Sequence, residues 1–81
     1  MKIKVTKKDI KNGLPCSDSS CPIALAVRRT LKHREIVTVD SLYVGINGKY
    51  SRLSKRAIRF VEKFDSNEIV KPFEFNIKLK K

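Results

Sequence analysis

Cys16 and Cys21 stand in a C-x4-C spacing, with Asp18, Ser19 and Ser20 between them. The thiolate is both a nucleophile and a metal ligand, so the pair could do chemistry in three states. The two residues can be free thiols, one of them at a helix start where thiolate is favoured. They can be half of a zinc site, because zinc takes cysteines from loop-to-helix turns. They can close a small disulfide loop, which a reducing compartment discourages. Free thiols are the leading expectation, zinc the next and the disulfide the last. A structural zinc site needs four ligands. His33 cannot join Cys21 within one chain, because it lies 12 residues further along the predicted helix, roughly 18 Å away at 1.5 Å per residue. Asp18, another carboxylate, water or a second chain would have to complete the set. The spacing suits stapling a loop better than catalysis.

The second constellation is cationic. In a helix over about 55–64, with about 100° per residue, Lys55, Arg56, Arg59 and Lys63 share one arc of roughly 100°. Ala57, Ile58, Phe60, Val61 and Phe64 fill the opposite side. The hairpin leading into this helix adds Lys49, Tyr50 and Arg52, with Tyr43 beside Arg52 and Tyr50 beside Gly45 across the strands. Cations beside exposed tyrosines suit phosphate contact with stacking on a base. They suit an acidic protein surface equally, with tyrosine and arginine as anchors. A plain solvated face is the competing explanation. A third cluster, Arg28, Arg29, Lys32, His33 and Arg34, sits at the end of the second helix. Helix-dipole complementation explains part of it, but five such residues in seven positions exceed what a helix end needs.

Other catalytic signatures are missing. The sequence has no phosphate-cradling glycine loop, no G-x-S-x-G elbow and no H-E-x-x-H pair. Its eight carboxylates are scattered, often beside lysine. These features point to binding without catalysis.

Several elements must position these groups. Lys2 to Thr6 alternates, with Ile3 and Val5 on one side, and reads as a strand. Thr6 and Asp9 have the spacing of a capping box for a short helical turn that Gly13 can end. Ser19 or Ser20 is expected to cap a helix over about 21–32, with Pro22 in its first turn. Ile36 to Val39 is β-branched at every position and reads as a strand. Asn47-Gly48 between two alternating runs is a strong hairpin signal, because both residues tolerate positive φ. The predicted register sets Ile46 against Lys49, Val44 against Ser51 and Leu42 against Leu53. Ser54 caps the helix that follows. Residues 65–71 read as a loop. Pro72 opens a last strand in which Phe73, Phe75, Ile77 and Leu79 share a face. The fold class predicted is α+β: a small antiparallel or mixed sheet of about four to five strands with two helices packed on one face, in a single domain over residues 1–81.

The 81 residues hold 19 Lys and Arg against 8 Asp and Glu, a net charge of +11. A positive field of this size attracts nucleic acid, anionic lipid or acidic protein faces. The longest apolar run, Pro22 to Val27, is far shorter than the roughly 20 residues of a membrane-spanning helix. No secretory signal follows Met1. A membrane partner is therefore not expected, and an intracellular location is.

Asp9-Ile10-Lys11-Asn12-Gly13, Cys21-Pro22-Ile23-Ala24-Leu25-Ala26 and Arg28-Arg29 together resemble a pattern of small phage and prophage proteins. The later stretch with Phe60, Phe64, Asp65, Val70, Pro72, Phe73, Glu74 and Phe75 is similar too. Phage proteins of this size include inhibitors of host defence, among them anti-CRISPR proteins that bind a nuclease and block nucleic-acid loading. The resemblance implies an inhibitor acting in the cytoplasm of a bacterial host, with a CRISPR nuclease as one candidate partner. It assigns no residue roles. A basic DNA- or RNA-binding module is the alternative.

Overall fold

Alternation at the two ends of the chain yields two strands that pair with each other. In the computed structural model, which describes residues 1–31 and 36–77, β1 (Lys2–Val5) and β5 (Phe73–Asn76) form an antiparallel two-stranded sheet. Ile3 lies opposite Phe75 and Val5 opposite Phe73. The Met1 amine donates to the Ile77 carbonyl, and the Ile77 N–H returns a bond to the Met1 carbonyl. Ile3, Val5, Phe75 and Ile77 are buried, as the alternation predicts. Lys78 to Lys81, including Leu79, lie outside the described residues.

The second sheet is an antiparallel meander of β2 (Val37–Val39), β3 (Tyr43–Ile46) and β4 (Lys49–Arg52). Asn47 and Gly48 take φ values of 51° and 83° in the turn. Ile46 pairs with Lys49 and Val44 with Ser51, in the predicted register. The Leu53 N–H donates to the Leu42 carbonyl at 2.8 Å, which extends that register beyond the ladder. The fold is α+β, and its five strands divide into two sheets with no ladder between them.

Three helices complete the chain. In α1 (Lys7–Asn12), Thr6 and Asp9 form the capping box in both directions. The next helix, α2 (Pro22–Thr30), packs against α1, β1 and β2, so it bridges the two sheets. Ile23, Ala24, Ala26 and Val27 are fully buried there. Its cap differs from expectation. Cys21, rather than Ser19 or Ser20, is the N-cap, and its Sγ accepts the Ala24 N–H at 3.4 Å. Ser20 is held in the preceding loop, where its N–H donates to Ser17 Oγ and its carbonyl accepts from Leu14. The helix also ends at Thr30, short of the predicted Lys32.

The last helix, α3 (Lys55–Asp65), starts where predicted, with Ser54 Oγ accepting the Ala57 N–H. Beyond it, Asn67 adopts a left-handed φ of 60°. The Glu68 N–H then bonds the Lys63 carbonyl, satisfying part of the open helix end. Phe60 joins α3 to the terminal sheet: its ring lies 4.8 Å from that of Phe73, which stacks on Phe75 at 5.5 Å. Phe64 stacks on Phe60 at 6.0 Å. All four phenylalanines of the chain thus form one run, and it is continuous with the core.

A basic ridge and groove as the candidate binding site

The amphipathic pattern of α3 buries Ala57 and Phe60 and half-buries Ile58, Val61 and Phe64. Lys55, Arg56, Arg59 and Lys63 are left exposed, as their shared arc requires. The ion pairs among the described residues are Lys2–Glu74 and Arg29–Asp9, so none of the four ridge cations meets a carboxylate there. The ridge borders a groove of about 700 Å³ between α3 and residues 69–73. Lys71 adds a fifth cation, and Glu62 is the one carboxylate in the lining. The apolar surface of the groove comes from Ile58, Phe60, Val70 and Phe73, with Ile69 also lining it at 94% exposure.

Ile69, Val70 and Lys71 were not expected to take part, because the sequence reads only as a loop there. The available signal was an Ile-Val pair in an otherwise polar connection. It has no helical or strand period, so it does not reveal which surface it faces.

The hairpin forms as predicted, with Tyr43 opposite Arg52 and Tyr50 opposite Gly45. Lys49, Tyr50 and Arg52 are exposed. None of them lines the groove, so the groove and the hairpin are distinct surfaces among the described residues. Gly45 has a steric role. A Cβ there would lie 2.7 Å from Tyr50 Cε1 and 2.8 Å from Thr38 Oγ1. Its absence lets the Tyr50 ring rest against the sheet while the residue stays 61% exposed.

The cluster at the end of α2 is divided. Arg28 is exposed, and Lys32, His33 and Arg34 lie outside the described residues. Arg29 has a partner that the sequence does not announce. Its guanidinium grips both carboxylate oxygens of Asp9, one of them from Nη2 at 2.9 Å, and Nη2 also donates to the Lys4 carbonyl at 2.8 Å. Asp9 is only 4% exposed and accepts the Thr6 N–H and hydroxyl as well. Burial works to raise the Asp9 pKa. The Arg29 hydrogen bonds and those from Thr6 outweigh it and hold the carboxyl below its ordinary value. Arg29, expected as a binding cation, therefore ties α2 to α1 and β1.

Cys16 and Cys21 are both free, the first exposed and the second buried. They line a small cleft of about 140 Å³ together with Asp18, Asp40 and Asp65. No group of three or more His, Cys, Asp or Glu among the described residues is arranged to hold a metal ion, so the zinc reading lacks its further ligands there. Burial pushes the Cys21 thiol up despite the Ala24 N–H at its sulfur. Desolvation thus overrides the thiolate preference expected at a helix start. The loop is fastened by hydrogen bonds. The Cys16 N–H donates to Asp65 Oδ1 at 2.8 Å, and the Val39 N–H donates to the Asp18 carbonyl at 2.7 Å.

No helix of the described residues is long and apolar enough to cross a membrane. No protein family, curated protein or solved structure matches the chain.

Proposed function

We propose that this chain is a non-catalytic binding protein that docks through the α3 ridge on an acidic face of a protein partner. The observation that carries the reading is the exposed set Lys55, Arg56, Arg59 and Lys63, without a carboxylate partner among the described residues, beside a groove with apolar lining. A phosphate backbone would satisfy the cations but would leave that lining uncovered. The biological setting we propose is a phage-encoded inhibitor that docks on a host defence protein, such as an RNA-guided nuclease, and blocks nucleic-acid loading. Capture from nuclease-treated bacterial lysate, followed by identification of the bound protein, tests this. The wild type should retain a defence protein, and the triple reversal Lys55→Glu, Arg56→Glu, Arg59→Glu should lose it. Recovery of no protein partner, or equal recovery by the reversal, would overturn the reading.

A second reading has its own observation. Tyr50 is held against Gly45 and exposed, with exposed Tyr43 and Arg52 across the hairpin. These residues suit base stacking, while Lys49, Lys55, Arg56 and Arg59 would meet phosphates. Nucleic-acid affinity should then fall with salt on a log–log slope of about −0.9 per phosphate contact for duplex DNA. Binding that ignores salt would remove that mechanism.

A further inference from the structure

The groove beside α3 says more than that the partner is anionic. Its volume of about 700 Å³ would suit a small molecule, but it opens to solvent along a helix face instead of closing around a cavity. α3 has 11 residues, a length of about 16 Å at 1.5 Å per residue. An extended chain covers that distance in about five residues at roughly 3.3 Å each. Five cations line the groove against one carboxylate, Glu62, so the charge complement is acidic. Ile69 is nearly fully exposed, and Val70 and Phe73 stand half-buried beside it. An occupant that only neutralised charge would leave these side chains in water.

Resting on the docking reading above, we infer that the groove takes a linear acidic segment of the partner protein, about five residues long, with an aliphatic or aromatic side chain between carboxylates. The carboxylates meet Lys55, Arg56, Arg59, Lys63 and Lys71. The apolar side chain covers Ile69 and Val70. The cations set the sign of the segment, and the apolar lining distinguishes it from a phosphate chain.

Fluorescence anisotropy on the full chain tests this with three labelled probes: a short peptide alternating glutamate with leucine, an oligoglutamate of the same length, and oligothymidylate. The alternating peptide should bind at least about tenfold more tightly than oligoglutamate, the factor that burying one aliphatic side chain supplies. Ile69→Ser should erase that preference without unfolding the protein, because Ile69 contributes little to the core at its 94% exposure. Arg59→Glu should weaken both peptides. The methyl resonances of Ile58, Ile69 and Val70 should move on titration. Equal binding of the two peptides would overturn the inference. So would tighter binding of oligothymidylate that is insensitive to Ile69→Ser, or self-association that Ile69→Ser abolishes. If neither peptide binds while the triple reversal still loses the captured protein, the segment inference fails and the docking reading survives. If the reversal leaves capture intact, the docking reading itself fails.

Discussion

Arg29 on α2 and Arg59 on α3 are the same residue type on two helices of a chain with net charge +11, yet they meet different surroundings. Arg29 closes on the buried Asp9 and on the Lys4 carbonyl. Arg59 stands exposed at the groove, outside the ion pairs among the described residues. The helices differ in the same way. α2 bridges two sheets and buries most of its residues. α3 buries only Ala57 and Phe60 and presents its cations outward. A cation that meets a buried carboxylate becomes part of the fold, since removing it would leave that charge uncompensated. Cations gathered on one exposed arc repel one another and contribute little to folding. Under the docking proposal, their grouping serves a partner.

The largest expected effect on stability is at Arg29. Arg29→Ala should cost about 2–3 kcal/mol, below the full penalty for breaking a buried pair because the arginine is itself half-exposed. For a chain of this length that is a large part of a total of about 4–12 kcal/mol. Urea unfolding followed by circular dichroism measures it, and a loss near zero would erase the contrast with α3.

The same pair sets a pH dependence. The folded pKa of Asp9 is lowered, so its contribution is present above the unfolded value of about 3.9 and is lost as pH falls through the folded value. In Arg29→Ala burial acts with less opposition and raises that pKa, so the cost of the substitution should shrink between about pH 7 and about pH 3. Urea midpoints of both proteins at the two pH values check the sign.

The two cysteines repeat the comparison in sulfur. Cys16 is exposed, whereas Cys21 is 6% exposed with its thiol pKa pushed up. A maleimide should label Cys16 at least about 100-fold faster, because Cys21 must wait for local opening. Mass spectrometry after a timed quench reads the ratio. Comparable rates would show that the cap of α2 opens readily.

The smallest effect on stability is expected at the ridge. Changing Lys55, Arg56 and Arg59 together to alanine should shift stability by no more than about 0.5 kcal/mol, as for surface positions without partners. A loss approaching that of Arg29→Ala would make the ridge structural and remove the contrast.

Much of the fold was legible because its signals are local. The Thr6–Asp9 box, the Asn47-Gly48 turn, the Ser54 cap and the arc of α3 each depend on residues a few positions apart, and each forms as its spacing predicts. The α2 cap is not legible in the sequence because cysteine is an uncommon cap, and Ser20 is held by loop hydrogen bonds that spacing does not reveal. The ridge was legible for the same local reason as the helix. Its groove was not, because one wall comes from residues 69–73, which carry no periodic pattern.

By itself, then, the sequence determined the elements, the charge and the gathering of Lys55, Arg56, Arg59 and Lys63 on one face. Tertiary structure decided the pairing of β1 with β5, the division into two sheets and the assignment of Arg29 to the fold. Helical and strand periods act over a few residues and are written in order along the chain. Which cation meets a buried carboxylate depends on contacts such as Asp9 with Arg29, 20 residues apart, and these exist only once the core has closed.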